Sequence, residues 1–273
     1  MDILNMYSLT GKVIVVTGGT GILGGAFVKS IAAAGGAVGV LGRNENLATE
    51  RAAAIVSAGG RAIALVANVL DENELLVAKE KMIAHFGKID GLVNAAGGNM
   101  PEGVVQPEAD IFKMNISGLK TVLDLNLWGT ILPTQVFGDE LAKNDTASIV
   151  NISSMNSKRA VTKVLGYNMG KAAVDCYTQW FAVELANRYA DKIRMNALTP
   201  GFFLTDQNRK LLTNEDGSFT PRGQAVINNT PFKRFGDPEE LIGGLLFLLS
   251  DASRFVTGSQ LVVDGGFSIF SGV

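Results

Sequence analysis

The chain has 273 residues, a formal net charge of −2, one cysteine and one histidine. Balanced charge with scattered basic residues excludes the basic stripe that nucleic acid or an anionic membrane requires, so neither partner is expected. Cys176 alone cannot form an internal disulfide, and with only His85 beside it no common zinc site can be built, so no metal is expected and a reducing cytoplasmic setting fits. The opening "MDILNMYSLTGK" lacks a basic start followed by an apolar run, and "LIGGLLFLL" at 241–249 is too short to span a bilayer. The expectation is a soluble, unprocessed chain.

In chain order, "KVIVVTG" (12–18) is a β-branched apolar run, the pattern of a strand buried on both faces. It ends in glycines before the helical "GGAFVKSIAAAG". "AVGVLG", "ENLATERAAAIVSAGG", "AIALVAN" and "DENELLVAKEKMIAHFG" continue the alternation of strand and helix, and "IDGLVNAAG" is a fourth strand. A long helix containing Pro133 follows, then a strand "ASIVNISS", a helix over about 166–189 and the strand "KIRMNALTPG". An irregular segment at 202–236, a helix from Pro238 and a last strand "QLVVDGG" complete the chain. This order predicts an α/β fold, a single Rossmann-like doubly wound parallel sheet flanked by helices on both faces. No linker or repeat divides it, so 1–273 reads as one domain, with 202–236 long enough to be a substrate lid.

"VTGGTGILGG" sets Gly19, Gly21 and Gly24 in GxGxxG spacing between the first strand and the first helix, after Thr17 and Gly18. Glycines allow a tight turn and close approach to a pyrophosphate, and the N–H groups opening the helix (Gly18, Gly19, Thr20, Gly21, Ile22, Leu23) are suited to hold its charge. A second strand ending in a carboxylate would favour NAD, by pairing with the ribose 2′-hydroxyl. Here Gly42 and Arg43 stand there, and a guanidinium suits the 2′-phosphate of NADP(H), with NAD(H) also compatible.

Tyr167 and Lys171 are four apart on a predicted helix and share a face. A cation beside the phenol favours its ionised form and predicts a pKa below the usual value near ~10, toward the range of a general acid or base. Ser154, where the fifth strand ends, can hydrogen-bond a carbonyl or alkoxide oxygen. Taken alone, a YxxxK spacing is common on solvated helices.

It does not stand alone: "TGGTGILG", "NAAG" (94–97), Asn126, Ser154, "YNMGK", "NALTPG" (196–201), Thr205 and "VDGG" (263–266) follow one another in an order that resembles the short-chain dehydrogenases/reductases. The resemblance covers essentially the whole chain. It implies Tyr167 as catalytic acid/base, Ser154 as the group polarising the reacting oxygen, Lys171 on the nicotinamide ribose, and Asn126 in a water and proton relay to Lys171. It places Asn94, Ala95, Ala96 and Gly97 along the adenine ribose, Asn68 and Val69 about the adenine, and Pro200, Gly201, Phe203 and Thr205 at the nicotinamide end. It also implies a homotetramer, which the apolar C-terminal "FSIFSGV" suits. Two departures stand out: the TGxxGxxG spacing is one residue tighter than is usual in single-domain members, and Gly170 replaces a serine often found before the lysine.

On the substrate side, "NAAGGNMP", "SSMNSKRAVTKVLGY", "PGFFLTDQNRKLL", "TPFKRFGDPEEL" and "VDGGFSIFSGV" resemble the D-mannonate oxidoreductase (fructuronate reductase) group. This implies a keto sugar acid as small-molecule substrate, whose carboxylate and hydroxyls need a fixed cation and amide partners. Candidates are Asn99, Lys158, Arg159, Lys163, Gln207, Asn208 and Arg209, beside Ser154 and Tyr167. A gluconate 5-dehydrogenase or other polyol dehydrogenase is the alternative enzyme, and an NADP-sensing regulatory protein the alternative of another class. His85 is expected to serve the end of its helix, and Cys176 to be buried packing.

Overall fold

The computed structural model describes residues 3–205 and 208–272. Seven strands form one sheet: β1 (Val13–Thr17), β2 (Ala37–Gly42), β3 (Arg61–Val66), β4 (Gly91–Asn94), β5 (Ala147–Ile152), β6 (Ile193–Pro200) and β7 (Gln260–Val263). Their order is β3-β2-β1-β4-β5-β6-β7 and every neighbouring pair is parallel. Helices α1 (Ile22–Ala33), α2 (Glu45–Ser57), α3 (Glu72–Phe86), α4 (Ile116–Leu141), α5 (Leu165–Tyr189), α6 (Arg209–Leu212), α7 (Pro221–Asn229) and α8 (Ile242–Leu249) complete the fold.

β1, β2, β4, β5 and β6 are buried along their whole length because alternate residues feed two different cores, whereas the outer strands β3 and β7 are partly exposed. Ile14 and Val16 of β1, with Val38 and Val40 of β2, pack against Phe27 and Ile31 of α1, Ile55 of α2 and Leu245 and Leu248 of α8. Val13 and Val15, with Leu41, Leu92 and Ile149, pack on the opposite face against Leu75 and Met82 of α3, Phe137 of α4 and Leu185 of α5. Six of the eight helices thus divide three to a face, as a doubly wound sheet requires.

The chain runs outward from β1 to β3 and then returns to place β4 beside β1. Thr17 and Asn94 are register partners at that reversal. Open α/β sheets leave a crevice outside their strand C-termini where the order reverses. Two segments depart from the sequence reading. The supposedly irregular 202–236 contains α6 and α7, and the helix expected from Pro238 begins as a 3-10 turn, Pro238–Leu241, before α8. The helices α6 and α7 share a small core of their own with their flanking residues, Leu212, Val226, Ile227 and Phe235 against Phe202, Leu204 and Phe267. No helix among the described residues is long and apolar enough to cross a membrane.

Candidate active site

The turn between β1 and α1 is shaped by what its residues lack. A Cβ on Gly18 would lie 2.7 Å from the Ala95 carbonyl oxygen, at a φ of +64°, and one on Gly24 would lie 2.1 Å from the Gly18 oxygen. Gly21, the N-cap of α1, supplies no side-chain acceptor, so the N–H groups opening this helix are left to an outside anion. Thr17 Oγ1 accepts from the N–H groups of Ala95 and Ala96, both at 3.1 Å, and ties the turn to the exit of β4. The cradle therefore fits a dinucleotide pyrophosphate.

Arg51 of α2, which the sequence reading missed, reaches this turn. Its Nη1 donates to the carbonyls of Gly19 and Gly21, each at 2.6 Å, and Gly25 leaves the room it needs, since a Cβ there would lie 2.4 Å from that nitrogen. At the end of β2, a Cβ on Gly42 would lie 2.5 Å from Thr20 Oγ1, so the place of an acidic residue is filled by the threonine. Arg43 beside it is exposed. Asn68 Oδ1 accepts from Leu70 N–H at 3.1 Å and the Asn68 N–H donates to Glu74, while Val69 is buried.

Asn94 is buried and turned inward, donating to Thr134 Oγ1 of α4 and to Asn151 Oδ1 of β5, and Asn151 donates to Thr178 of α5. This polar ladder runs across the sheet from one helix to the next. Asn126, fully buried, exchanges two hydrogen bonds with the Gly98 backbone: Oδ1 accepts the N–H at 3.0 Å and Nδ2 donates to the carbonyl at 2.7 Å. A Cβ on Gly97 would lie 2.7 Å from Asn126 Oδ1 and 3.2 Å from Lys171 Nζ, so these two groups converge on one glycine. Gly170 faces Asn126 as well, 2.8 Å from its Cβ by the same measure, which accounts for the glycine where a serine is usual.

Ser154 and Lys171 are 6 % and 4 % exposed. Lys171 Nζ donates to the Ile152 carbonyl at 2.8 Å and lies 5.6 Å from the Tyr167 ring centroid, and Ser154 Oγ donates to Asn156 Oδ1 at 3.3 Å and accepts from the Asn156 N–H at 3.2 Å. The expected depression of the phenol pKa is corrected here: burial pushes Tyr167 above its ordinary value, opposed by the Ser154 side chain. The lysine bears the larger consequence of enclosure, for burial pushes Lys171 down to about 8 against the pull of the Asp175 carboxylate. The loop between Ser154 and Tyr167 is held by residues the sequence reading did not single out. Asn156 donates to Asn168 at 2.7 Å, and Asn168 to the Val161 carbonyl at 2.8 Å.

The proposed substrate contacts are dispersed. Arg159 is turned to the C-terminal segment, donating to the Ser268 and Phe270 carbonyls at 2.7 and 3.1 Å, and Lys158 to Gln260. Lys163 is half-buried at φ +74°, its carbonyl held by the Val105 N–H. Asn99 Oδ1 is buried without a partner among the described residues. Asn208 closes its own turn, accepting from Thr205 N–H and donating to the Phe203 carbonyl, both at 2.8 Å, and Arg209 is exposed on α6. Gln207 lies outside the described residues. Phe203 is buried in the first core, and Gly201, following Pro200, packs on Asp264. Cys176 is exposed, against expectation, because Gly170, Val174 and Thr178 hold the buried stripe of α5. Among the described residues no cluster of three or more His, Cys, Asp or Glu could hold a metal.

A glycine cradle at the sheet's reversal, facing a serine, tyrosine and lysine gathered at β5 and α5, is the layout of a nicotinamide-dependent oxidoreductase, and the chain belongs to the short-chain dehydrogenase/reductase family. A family model described as enoyl-(acyl carrier protein) reductase matches residues 9–268. The chain is 43 % identical to the uncharacterized oxidoreductase UxuB of Bacillus subtilis (strain 168), over 97 % of this chain and 98 % of that one. A crystal structure with bound NAD, provisionally described as a D-mannonate oxidoreductase from Haemophilus influenza, superposes with a TM-score of 0.91 at 38 % identity over all of both chains. A gluconate 5-dehydrogenase from Burkholderia cenocepacia J2315, in complex with NADP and tartrate, gives 0.85 at 30 % identity over 97 % of this chain and 98 % of that one. The protein is an NAD(P)-dependent oxidoreductase of this family.

Proposed function

We propose that the enzyme interconverts a keto sugar acid and its alcohol, D-fructuronate and D-mannonate, with NADP(H) preferred over NAD(H). The observation that carries this reading is the enclosed Ser154, Tyr167 and Lys171 group in a chain that aligns end to end with a provisional D-mannonate oxidoreductase. Bound NAD(P)H supplies the hydride to the carbonyl carbon. Ser154 donates a hydrogen bond to the carbonyl oxygen, and Tyr167, kept protonated by burial, gives that oxygen its proton. Lys171 holds the nicotinamide ribose and, when charged, stabilises the phenolate left behind. Asn126 links Lys171 to the chain of donors that restores the proton. The oxidation runs through the same groups in reverse.

Lys163 is our assignment for the substrate carboxylate, since Arg159 and Lys158 are bonded elsewhere, and Asn99 offers its unpartnered oxygen to a sugar hydroxyl. Residues 202–236 act as the lid. Arg222 of α7 donates to the Thr162 carbonyl at 3.1 Å, so the lid rests on the loop that carries Lys163. A homotetramer is part of this reading. The test follows nicotinamide absorbance with D-fructuronate and, separately, 5-ketogluconate, using NADPH or NADH, with Tyr167→Phe as control. Tyrosine-dependent turnover strongest with fructuronate and NADPH supports the proposal. Turnover strongest with 5-ketogluconate moves the enzyme to the gluconate dehydrogenases, and none with either removes the sugar-acid assignment.

A further inference from the structure

Three successive residues of β5 and its exit are laced to α5. Asn151 donates to Thr178, the Ile152 carbonyl accepts from Lys171, and Ser153 Oγ donates to Asp175 Oδ1 at 2.5 Å. The first bond belongs to the polar ladder and the second to the candidate catalytic lysine. The third has no part in the mechanism above, yet it sits next to Ser154 on the strand and one helical turn beyond Lys171. Ser153 and Asp175 are 2 % and 8 % exposed, so a carboxylate is buried here against a hydroxyl that donates to it. Burying a charge is costly unless neighbouring dipoles or an opposite charge compensate it.

We propose that Asp175 is a positioning residue of the active site: its carboxylate fixes Ser153, and with it the β5 exit that presents Ser154, while its charge stabilises the Lys171 ammonium. The surroundings of Lys171 leave this role to Asp175. From α4 comes the amide of Asn126, from the loop after β4 the backbone of Gly97, and from β5 the Ile152 carbonyl, none of which ionises. On α5 itself stand Tyr167, neutral when protonated, and Asp175, whose charge, among the described residues, acts on the lysine. Burial draws Lys171 toward its neutral form and Asp175 opposes that draw.

The inference rests on the proposed role of Lys171 as a cation on the dinucleotide ribose, so its test reads binding as well as turnover. Dinucleotide affinity is measured by fluorescence from neutral to alkaline pH, beside the pH profile of reduction, in wild type, Asp175→Asn and Ser153→Ala. Asparagine keeps an oxygen for the Ser153 hydroxyl and removes the charge. The alkaline limb of both profiles is expected to move to lower pH by about one unit. Ser153→Ala keeps the charge and loosens the strand exit, so its limb should stay in place while kcat falls about tenfold. Asp175→Ser, which offers a hydroxyl in place of the carboxylate, gives the same reading should the asparagine variant not fold. Superposable limbs in wild type and the charge-removing variant would overturn the proposal, as would an equal shift in Ser153→Ala. If wild type binds the dinucleotide but reduces no sugar acid, the substrate reading fails, and the Asp175 role is decided by the binding profiles alone.

Discussion

The turn after β1 and the seam between β5 and α5 lie at the same edge of the sheet and are built by opposite means. The turn works by subtraction: Gly18 and Gly24 stand where any Cβ would strike backbone, and Gly21 caps α1 with no side chain. The seam works by addition, with Thr178, Lys171 and Asp175 each bonded to one residue of the strand and its exit. A surface made of backbone can bind a pyrophosphate common to many substrates' cofactors. Only side chains can set the proton balance at one reacting oxygen.

The largest effect that sharpens this contrast comes from the seam. Tyr167→Phe should lower kcat by about 10²–10⁴-fold while leaving dinucleotide affinity near wild type. Comparable losses in both would mean that the phenol holds the cofactor and not only the proton. Next comes the turn: Gly24→Ala should weaken dinucleotide binding about 100-fold, or about 2.7 kcal/mol, because the added methyl meets the Gly18 oxygen at 2.1 Å. Binding titrations that match wild type would show that the turn relaxes without loss.

Lys171→Met tests what the enclosed cation costs the fold. The folded pKa of about 8 lies below the ordinary 10.5, so between those values the unfolded chain binds more protons and wild-type stability rises with pH. The methionine variant should lose that rise, read by denaturant unfolding below and above that window. A rise that persists in the variant would place the charge cost elsewhere. The smallest expected effect is at the rim of the cradle. Arg43→Ala should weaken NADPH about tenfold and leave NADH unchanged, as loss of one charge-assisted contact would. Equal changes for both dinucleotides would deny Arg43 a part in choosing between them.

The cradle was legible because glycines at fixed spacing between a strand and a helix mark a backbone requirement, and the central strands were legible because both faces are buried. Tyr167 and Lys171 could be paired because a helix makes neighbours of residues four apart. Arg51, Asp175 and the Asn156–Asn168 pair could not, since each meets its partner across the fold or around a loop. The direction of the Tyr167 shift was misread for a related reason: spacing gives the neighbouring cation but not the enclosure that outweighs it. The helices within 202–236 were hidden by size, α6 having four residues and α7 nine.

The contact between Gly42 and Thr20 makes cofactor preference an epistatic trait. Installing an aspartate at 42 to recruit NAD would drive its Cβ into the threonine, so the mutation that supplies the carboxylate also disturbs the phosphate turn. A route to altered preference therefore varies positions 42 and 20 together, since the group that must give way to the new Cβ is the threonine side chain.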